Sequence, residues 1–491
     1  MKIRIAARRS DLARLQAYQV GNALKRAGRG IEIEYQFKES LGDKNQEDPL
    51  WKMPERGVFT EDFADDLLSG KSDVVVHSWK DMPTETRPGL LVAATMKRAD
   101  PRDLLLLRKE SFGNRNLTLL TSSPRRTFNA SAALKDLLPF PTTSLTTKPV
   151  RGNVATRLKK LAAKEGDGLF LAKAALDRLL SAEDEEFAAA KTEIRALLDG
   201  FLWMALPLSL FPTAAAQGAL AVEMRSDRAD LLSHMSFIHH AETFDCVTRE
   251  RNKLAAFGGG CHQKIGVTCV PHHRFGWTEF YHGEPDGQPA LRKMTFGDAP
   301  MPVPPGHSYW PENSRPIFER RPLHGLLNPG GDLFVSRADA LPERWSISES
   351  QCVWAAGART WKKLAQRGIW VHGCADGLGE SLPEVEDLLG RRASWTKVTH
   401  ADSANDRHFT CLPTYRLEPL VVSGPPLVDA YFWPSESLFR WALAKRPEIR
   451  GKRHASGPGF TAEAIEKELG RAIDVYYNYS HWRNGNAYEE S

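Results

Sequence analysis

The sequence predicts a multidomain α/β chain, and three observations lead there. Short apolar runs alternate with amphipathic helical stretches through the first half, a proline-rich break follows near residue 300, and the same texture then returns. At 491 residues the chain is too long for one core and suggests roughly three domains of about 150 residues. Its hydrophobic content of 42% and charged content of 26% are those of a soluble globular protein with several cores to fill. Sixty-six basic residues stand against 61 acidic ones, a net charge of +5 that does not point to nucleic acid. Local arginine clusters remain able to bind an anionic ligand.

The elements follow in order. KIRIAAR reads as a strand, Ser10 as a helix N-cap, and DLARLQAYQVGNALKRAG as an amphipathic helix closed by Gly28. IEIEYQF is a strand, TEDFADDLLSG a helix and SDVVVHSW a buried strand. DLLLL begins the next group, helices follow SSPRR and RGNVATR, and GLFLAKAALDRLL continues the alternation. A helix from about Ala241 to Ala256 leads into FGGGCHQKIG, and GWTEFYHG and PALRKMTF flank the turn signal EPDGQ. GDAPMPVPPGHSYWPENSRP lacks apolar periodicity and reads as an interdomain linker. Beyond it, GARTWKKLAQRG and GPGFTAEAIEKELG each pair a Gly/Thr turn with a helix and a closing glycine, an echo that suggests two similar lobes.

Charges interrupt MKIRIAARRSDLARL too often for a signal peptide, and FLWMALPLSLFP is too short and proline-broken to span a bilayer. Cys246, Cys261, Cys269, Cys352, Cys374 and Cys411 are too scattered for a disulfide framework. A cytoplasmic monomer with no membrane or nucleic-acid partner is expected.

Three arginine clusters carry the first chemical signal. In TSSPRRTF, Ser123 can cap a helix whose first position is Pro124, so backbone N–H groups, hydroxyls and two guanidiniums converge on one helix start. VRGNVATR repeats the pattern with Arg151 and Arg157, and ARRSDLARL does so with Arg8, Arg9 and Ser10. Arginine's planar fork suits carboxylate or phosphate. Each cluster alone could be a solvated helix start; three in one α/β region argue against that. VVVHSWKDMP runs a buried strand into Ser78, Lys80 and Asp81, at the strand end where open α/β sheets bind ligands. There Asp81 could be one half of a surface ion pair or a carboxylate facing a cationic intermediate. A thiol behind three glycines, Cys261, could be a nucleophile, a metal ligand, an attachment point or a small apolar residue. A zinc set of Cys261, Cys269, His272 and His273 matches no common ligand spacing, so no metal is expected.

These arginine sites, HSWKDMP, AAAQGALAVE and GGGCHQKIG resemble, in collinear order over roughly residues 1–300, the hydroxymethylbilane synthase (porphobilinogen deaminase) family. The resemblance implies two lobes like those of periplasmic binding proteins plus a small α+β domain. Domain 1 would span 1–98 and 214–236, domain 2 would span 99–213, and a cofactor-carrying domain 3 would span 237–298, before a linker at 299–328. It implies a dipyrromethane cofactor on Cys261 through a thioether, held by Ser78, Lys80, Thr121, Ser122, Ser123, Arg125, Arg126 and Asp43. Porphobilinogen and the growing chain would meet Arg8, Ser10, Lys52, Arg56, Arg151, Gly152, Asn153, Arg157, Arg178 and Gln217. Asp81 would be the catalytic acid, steadying positive charge on pyrrole nitrogens after ammonia leaves. Movement of the cofactor loop through the cleft is implied as the chain lengthens. The sequence departs from the family at Arg9 and Asp11, at Arg56 in place of a usual lysine, at Ala216 in place of a usual glycine, and in a longer segment between Arg126 and Arg151.

From about Gly330 to Asp474 the chain resembles uroporphyrinogen-III synthase through LFVSRAD, GARTWKKLAQRG, TYRLEP, VDAYFWPSESLFRWAL and SGPGFTAEAIEKEL. The resemblance implies a two-lobed α/β region at 329–480 that closes hydroxymethylbilane, with Thr360, Tyr415, Ser435 and Thr461 in its cleft. Two alternatives stand beside this bifunctional expectation. One is a synthase with a non-catalytic C-terminal domain. The other is a two-lobed anion-binding protein, which would need neither Asp81 nor the GGGC loop.

Overall fold

Lys2–Arg8 buries Ile3 and Ile5 and sends Lys2 and Arg4 outward, and this period-two pattern begins the first sheet of the computed structural model. The structure describes residues 1–28, 30–39, 60–258, 263–284, 289–298, 300, 307–312, 318–403, 409–420 and 423–485. It divides into two compact units. The first comprises Met1–Lys135, Phe140–Pro271 and Glu279–Leu291, the second Asp136–Pro139, His272–Thr278 and Arg292–Ser491.

The first unit begins with β1 (Lys2–Arg8), α1 (Asp11–Ala27), β2 (Glu32–Lys38), α2 (Glu61–Leu68), β3 (Val74–Ser78) and β4 (Leu90–Ala94). Next come β5 (Asp103–Arg108), β6 (Asn116–Leu120), α3 (Pro124–Ala133), β7 (Ser144–Lys148), α4 (Val154–Ala162), β8 (Gly168–Ala172), α5 (Lys173–Leu180), α6 (Ala188–Leu198) and β9 (Phe201–Ala205). β10 (Leu220–Arg225), α7 (Ala229–Met235), α8 (Ala241–Ala256) and β11 (Ile265–His272) complete the series. One five-stranded sheet has the order β2-β1-β3-β10-β4, and a second has the order β7-β6-β8-β5-β9. In each, the helix-linked strands run parallel (β2-β1-β3 and β7-β6-β8), as strand–helix–strand crossovers require, and the rest antiparallel. Ile3, Ile5, Ala17, Val20, Leu24, Val74, Val76 and Val222 fill one core on the first sheet.

The chain crosses from one sheet to the other between β4 and β5 and returns between β9 and β10. Both crossings are tightly built. Gly218 has φ +89, and a Cβ there would lie 2.6 Å from the carbonyl oxygen of Ala99. Two residues earlier Ala216 has φ +65, in the left-handed region that glycine enters without strain. The family glycine that Ala216 replaces therefore has a conformational reason.

β12 (Gly276–Gly283) and β13 (Leu291–Phe296) join β11 in a three-stranded sheet of order β11-β12-β13. The turn signal EPDGQ contains residues 285–288, which lie outside the described residues.

The second unit holds β14 (Tyr309–Trp310), β15 (Phe318–Pro322), β16 (Asp332–Val335), β17 (Val353–Ala355), α9 (Ala358–Gln366), β18 (Gly373–Cys374), β19 (Trp395–His400) and β20 (Thr410–Pro419). β21 (Ala430–Trp433), α10 (Glu436–Lys445), β22 (Arg453–Ser456), α11 (Phe460–Leu469) and β23 (Asp474–Val475) follow. A six-stranded sheet has the order β15-β20-β19-β16-β17-β18, parallel apart from β15. A four-stranded sheet, β14-β21-β22-β23, is parallel throughout. Its first strand precedes the six-stranded sheet in sequence and its other three follow, so the larger sheet is an insertion into the smaller.

Two strands thus fall inside the 299–328 span expected as a linker. Proline density hid the apolar content of this span: Trp310 packs on Trp433 with ring centroids 5.4 Å apart, and Phe318 packs on Trp441 at 5.9 Å. The echo between GARTWKKLAQRG and GPGFTAEAIEKELG corresponds to two strand–glycine–helix units, β17 to α9 and β22 to α11. No helix among the described residues is long and apolar enough to cross a membrane.

Ala216→Gly is expected to raise the unfolding free energy by about 1 kcal/mol, because relief of left-handed strain outweighs the added unfolded-state freedom. A urea titration that shows no gain would remove the strain from this account.

Candidate active site

Three strand ends build the site. β3 is buried over Val74–His77 and passes directly into a single 3-10 turn, Trp79–Asp81. Trp79 is buried and its N–H donates to the carbonyl of Ala219, which leaves Asp81 exposed beyond the strand end. β6 ends at Leu120 and runs through Thr121-Ser122-Ser123 into α3, with Pro124 in the first helical turn and the Ser123 hydroxyl accepting the N–H of Arg126 at 3.4 Å. β7 ends at Lys148 and leads into α4, where Asn153 accepts the N–H of Thr156 at 2.8 Å. All three segments leave the carboxyl ends of parallel strands, the position at which open α/β sheets bind ligands.

Arg125 and Arg126 are buried on one carboxylate. Arg125 donates to Asp103 at 2.7 Å and to the carbonyl of Pro212 at 3.0 Å. Arg126 donates to Asp103 through Nε at 3.1 Å and Nη2 at 2.7 Å, and to the carbonyl of Phe170 at 3.2 Å. Burial alone would raise the Asp103 pKa, but the two guanidiniums outweigh it and hold the carboxyl well below its ordinary value. Lys80 lies within electrostatic reach of Asp81, Arg126, Asp103 and Arg125, and desolvation pulls its ammonium below the usual lysine value. Arg157 is drawn down to about 10, first by burial and then by Arg126 and Arg151, while Asp81 acts in the opposite direction. Lys80, Arg125, Arg126, Arg151 and Arg157 therefore gather with two carboxylates, Asp81 and Asp103, so the locus is net cationic. Within it, Nη1 of Arg151 is buried and meets no hydrogen-bond partner.

The other expected residues divide. Arg8 and Ser10 stand at the carboxyl end of β1, where Ser10 precedes α1 without a side-chain cap bond. The Ser78 hydroxyl is engaged with the Gln16 amide at 2.9 and 3.1 Å. Ser122 is occupied by Val150, accepting its N–H at 3.0 Å and donating to its carbonyl at 2.8 Å. Thr121 is buried, and its hydroxyl accepts the N–H of Ser123. Gly152 has φ +113 and its carbonyl accepts Nε of Arg157 at 2.8 Å. Arg178, brought to about 10 by burial, donates to the carbonyl of Gly218 at 2.8 Å. Gln217, expected at the substrate, is 1% exposed; its amide donates to Pro101 at 2.7 Å and Asp103 at 2.9 Å, and its Oε1 meets no hydrogen-bond partner. It reinforces the arginine anchor from the interlobe crossing. Asp43, Lys52, Arg56 and Cys261 lie outside the described residues.

Three features escaped sequence reasoning. Asp103 heads the buried strand DLLLLR, and a lone charge at the start of such a run was its only signal. Arg98 and Glu250 form a buried pair at 2.5 and 3.0 Å across 152 positions, with no local signal at all. Glu250 also accepts the N–H of Ala216 and of Cys269, each at 2.6 Å, so α8 is bound to the interlobe crossing and to β11. Arg251 reaches the carbonyls around Lys80 and Asp81.

In the second unit, Thr360 and Thr461 lie in the first turns of α9 and α11. Both helix starts border one loop: a Cβ on Gly357 would lie 3.4 Å from the backbone of Gly377, and one on Gly459 would lie 3.7 Å from Gly379. Tyr415 is buried on β20, with Arg320 and Arg337 beside it. Ser435 caps α10 by accepting the N–H of Leu438 at 3.3 Å. Among the described residues no three His, Cys, Asp or Glu side chains gather as a metal site.

Residues 3–233 match the family model described as porphobilinogen deaminase, dipyromethane cofactor binding domain. Similar proteins include the porphobilinogen deaminase of Lawsonia intracellularis, 36% identical over 54% of this chain and 78% of the relative. Those of Syntrophomonas wolfei and a Nostoc species are also 36% identical, over 54% of this chain and 79% and 76% of their own lengths. Among solved structures, the reduced OxyR regulatory domain from Pseudomonas aeruginosa aligns at a TM-score of 0.25 and 12% identity over 48% of this chain and 96% of its own, too loosely to bear on the fold.

Asp103→Asn would leave two guanidiniums buried against a neutral amide, and a loss of roughly 3–5 kcal/mol in unfolding free energy is expected. The carboxylate's contribution is present above its unfolded value of 3.8 and is lost only as pH falls below it toward the lowered folded value. An unchanged denaturant midpoint at pH 7 would show that the arginines do not depend on Asp103.

Proposed function

The chain belongs to the porphobilinogen deaminase family, and from that premise we propose that it joins four porphobilinogen units, with loss of ammonia, into hydroxymethylbilane on a dipyrromethane cofactor carried by Cys261. The observation that carries this reading is the gathering of Lys80, Arg125, Arg126, Arg151 and Arg157 around Asp81 at the carboxyl ends of β3, β6 and β7. The dipyrromethane, a polycarboxylate, supplies the pyrrole carbon at which the chain lengthens.

The residues present fit such a group. Arg151 keeps a buried, unpartnered Nη1, and the cationic excess suits acetate and propionate side chains. Arg125 and Arg126, pinned by Asp103, offer a preorganised positive surface rather than mobile side chains. Lys80 and Arg157, partly stripped of water, interact more strongly with an incoming carboxylate than solvated cations would. Asp81 is the one exposed carboxylate among them. It is suited to steady the positive charge that develops on a pyrrole nitrogen as the aminomethyl carbon–nitrogen bond breaks, and to accept the proton lost when the new carbon–carbon bond forms. Arg8 and Ser10, at the end of β1, are assigned to the substrate side of the cleft. A cytoplasmic monomer belongs to the same reading.

For the second unit we infer uroporphyrinogen-III synthase activity. In support stand two largely parallel sheets with a repeated strand–glycine–helix unit, and helix starts bearing Thr360 and Thr461 on either side of one loop. Hydroxyls and helix N-termini suit a polycarboxylate. A scaffolding domain without activity is the competing reading.

Peptide mass spectrometry of folded protein is expected to find dipyrromethane on Cys261, and an unmodified thiol would falsify the proposal. Asp81→Ala is expected to keep that adduct and lose turnover by roughly 10²–10⁴-fold; near-normal turnover would remove Asp81 from its role. Incubation with porphobilinogen alone should yield uroporphyrinogen III, read as uroporphyrin III after oxidation and isomer separation. Isomer I alone would leave the second unit as a scaffold.

A further inference from the structure

Arg251 sits on α8, ten positions before Cys261 in the chain. Its hydrogen bonds go to main-chain carbonyls. Nη1 donates to the oxygens of Trp79 and Met82, each at 3.3 Å, and Nη2 donates to that of Pro83. These carbonyls lie on both sides of Lys80 and Asp81. The guanidinium also stands 5.9 Å from the centroid of the Trp79 ring. Trp79 in turn packs on Phe244 of the same helix at 5.4 Å and shares a buried cluster with Val247, Ala216 and Ala219.

A turn of three residues has little hydrogen bonding of its own, and the carbonyls beyond it need donors from elsewhere. Of the three carbonyls that Arg251 reaches, that of Trp79 also accepts the Met82 N–H at 3.2 Å. Arg251 adds donors to all three carbonyls from a single planar group. Lysine in its place would offer one point of charge, able to reach one or two of the three oxygens without fixing their spacing. Burial lowers the guanidinium to about 10, and the carbonyls and the Trp79 ring face it in place of water.

We propose that Arg251 is a positioning residue for Asp81: by bridging the carbonyls of Trp79, Met82 and Pro83 it sets where the carboxylate stands relative to the arginine cluster. This inference rests on the reading of Asp81 as the reacting acid. A displacement of about 1 Å at such a group costs on the order of 10²-fold in rate.

The test uses the full-length holoenzyme with Arg251→Lys and Arg251→Gln, each alone and combined with Asp81→Glu, which retains a carboxylate but moves it by one methylene. Turnover and KM for porphobilinogen are measured, together with thermal unfolding and the mass of the Cys261 peptide. The single variants are expected to stay folded and loaded, to lose roughly 10–100-fold in kcat, and to keep KM within about threefold. In the Asp81→Glu background the same changes should lower kcat by less than about twofold, since the carboxylate is already displaced. Additive losses, a raised KM with intact kcat, or wild-type turnover would overturn the proposal. Failure of both variants to fold would assign Arg251 to stability alone and overturn it equally. Failure of the Asp81 reading itself is seen separately, as normal turnover in Asp81→Ala.

Discussion

Guanidiniums crowded into a crevice repel one another, and the repulsion grows as water is removed. At an effective dielectric near 20, two unit charges 4 Å apart interact by about 4 kcal/mol. The buried carboxylate of Asp103 makes the arrangement tolerable: fully enclosed, it bonds to Arg125, Arg126 and Gln217 together. Two cations thereby become a fixed surface, and the uncompensated charge is left on Lys80, Arg151 and Arg157 nearer the open side. Charges held in place before a polyanion arrives need little reorganisation when it does. The arginine cluster is therefore a consequence of a carboxylate that no ligand touches.

α8 plays the corresponding mechanical part. Glu250 receives Arg98 from one interlobe crossing and the N–H of Ala216 from the other, and binds β11 through the N–H of Cys269. One turn of helix thus joins both crossings between the two sheets to β11. The close backbone approach at Gly218 and the left-handed Ala216 belong to the same junction. With Gln217 and Cys269 accepting from Arg98 and Ala216 and Cys269 donating to Glu250, the buried ion pair has four further backbone partners and fastens α8 at this junction.

The second unit solves a different packing problem with a repeated element. A six-stranded and a four-stranded sheet, both largely parallel, each send a strand into a glycine turn and a helix start. Glycines at 357, 377, 379 and 459 permit these turns to approach one another closely, leaving helix N-termini and small hydroxyls around a shared loop. Aromatic packing of Trp310 on Trp433 secures the first strand to a sheet whose other members come more than a hundred residues later.

Local patterning determined much of this. The strand–helix alternation, the cap at Ser123, the arginine clusters at helix starts and Asp81 at a strand end were legible because each depends on residues within a few positions of one another, although Ser10, read as a cap, makes no side-chain cap bond. The glycine preference at position 216 was visible as a departure from the family, and the backbone supplied its cause. Tertiary structure alone decided which charges meet. Asp103 finds Arg126 across 23 positions and Gln217 across 114, and Arg98 finds Glu250 across 152. It also turned Gln217 inward and drew two strands from a span whose prolines resembled a linker. Such outcomes follow from burial: an ion leaving water must find its partner wherever the fold brings one, and sequence distance carries no record of that pairing.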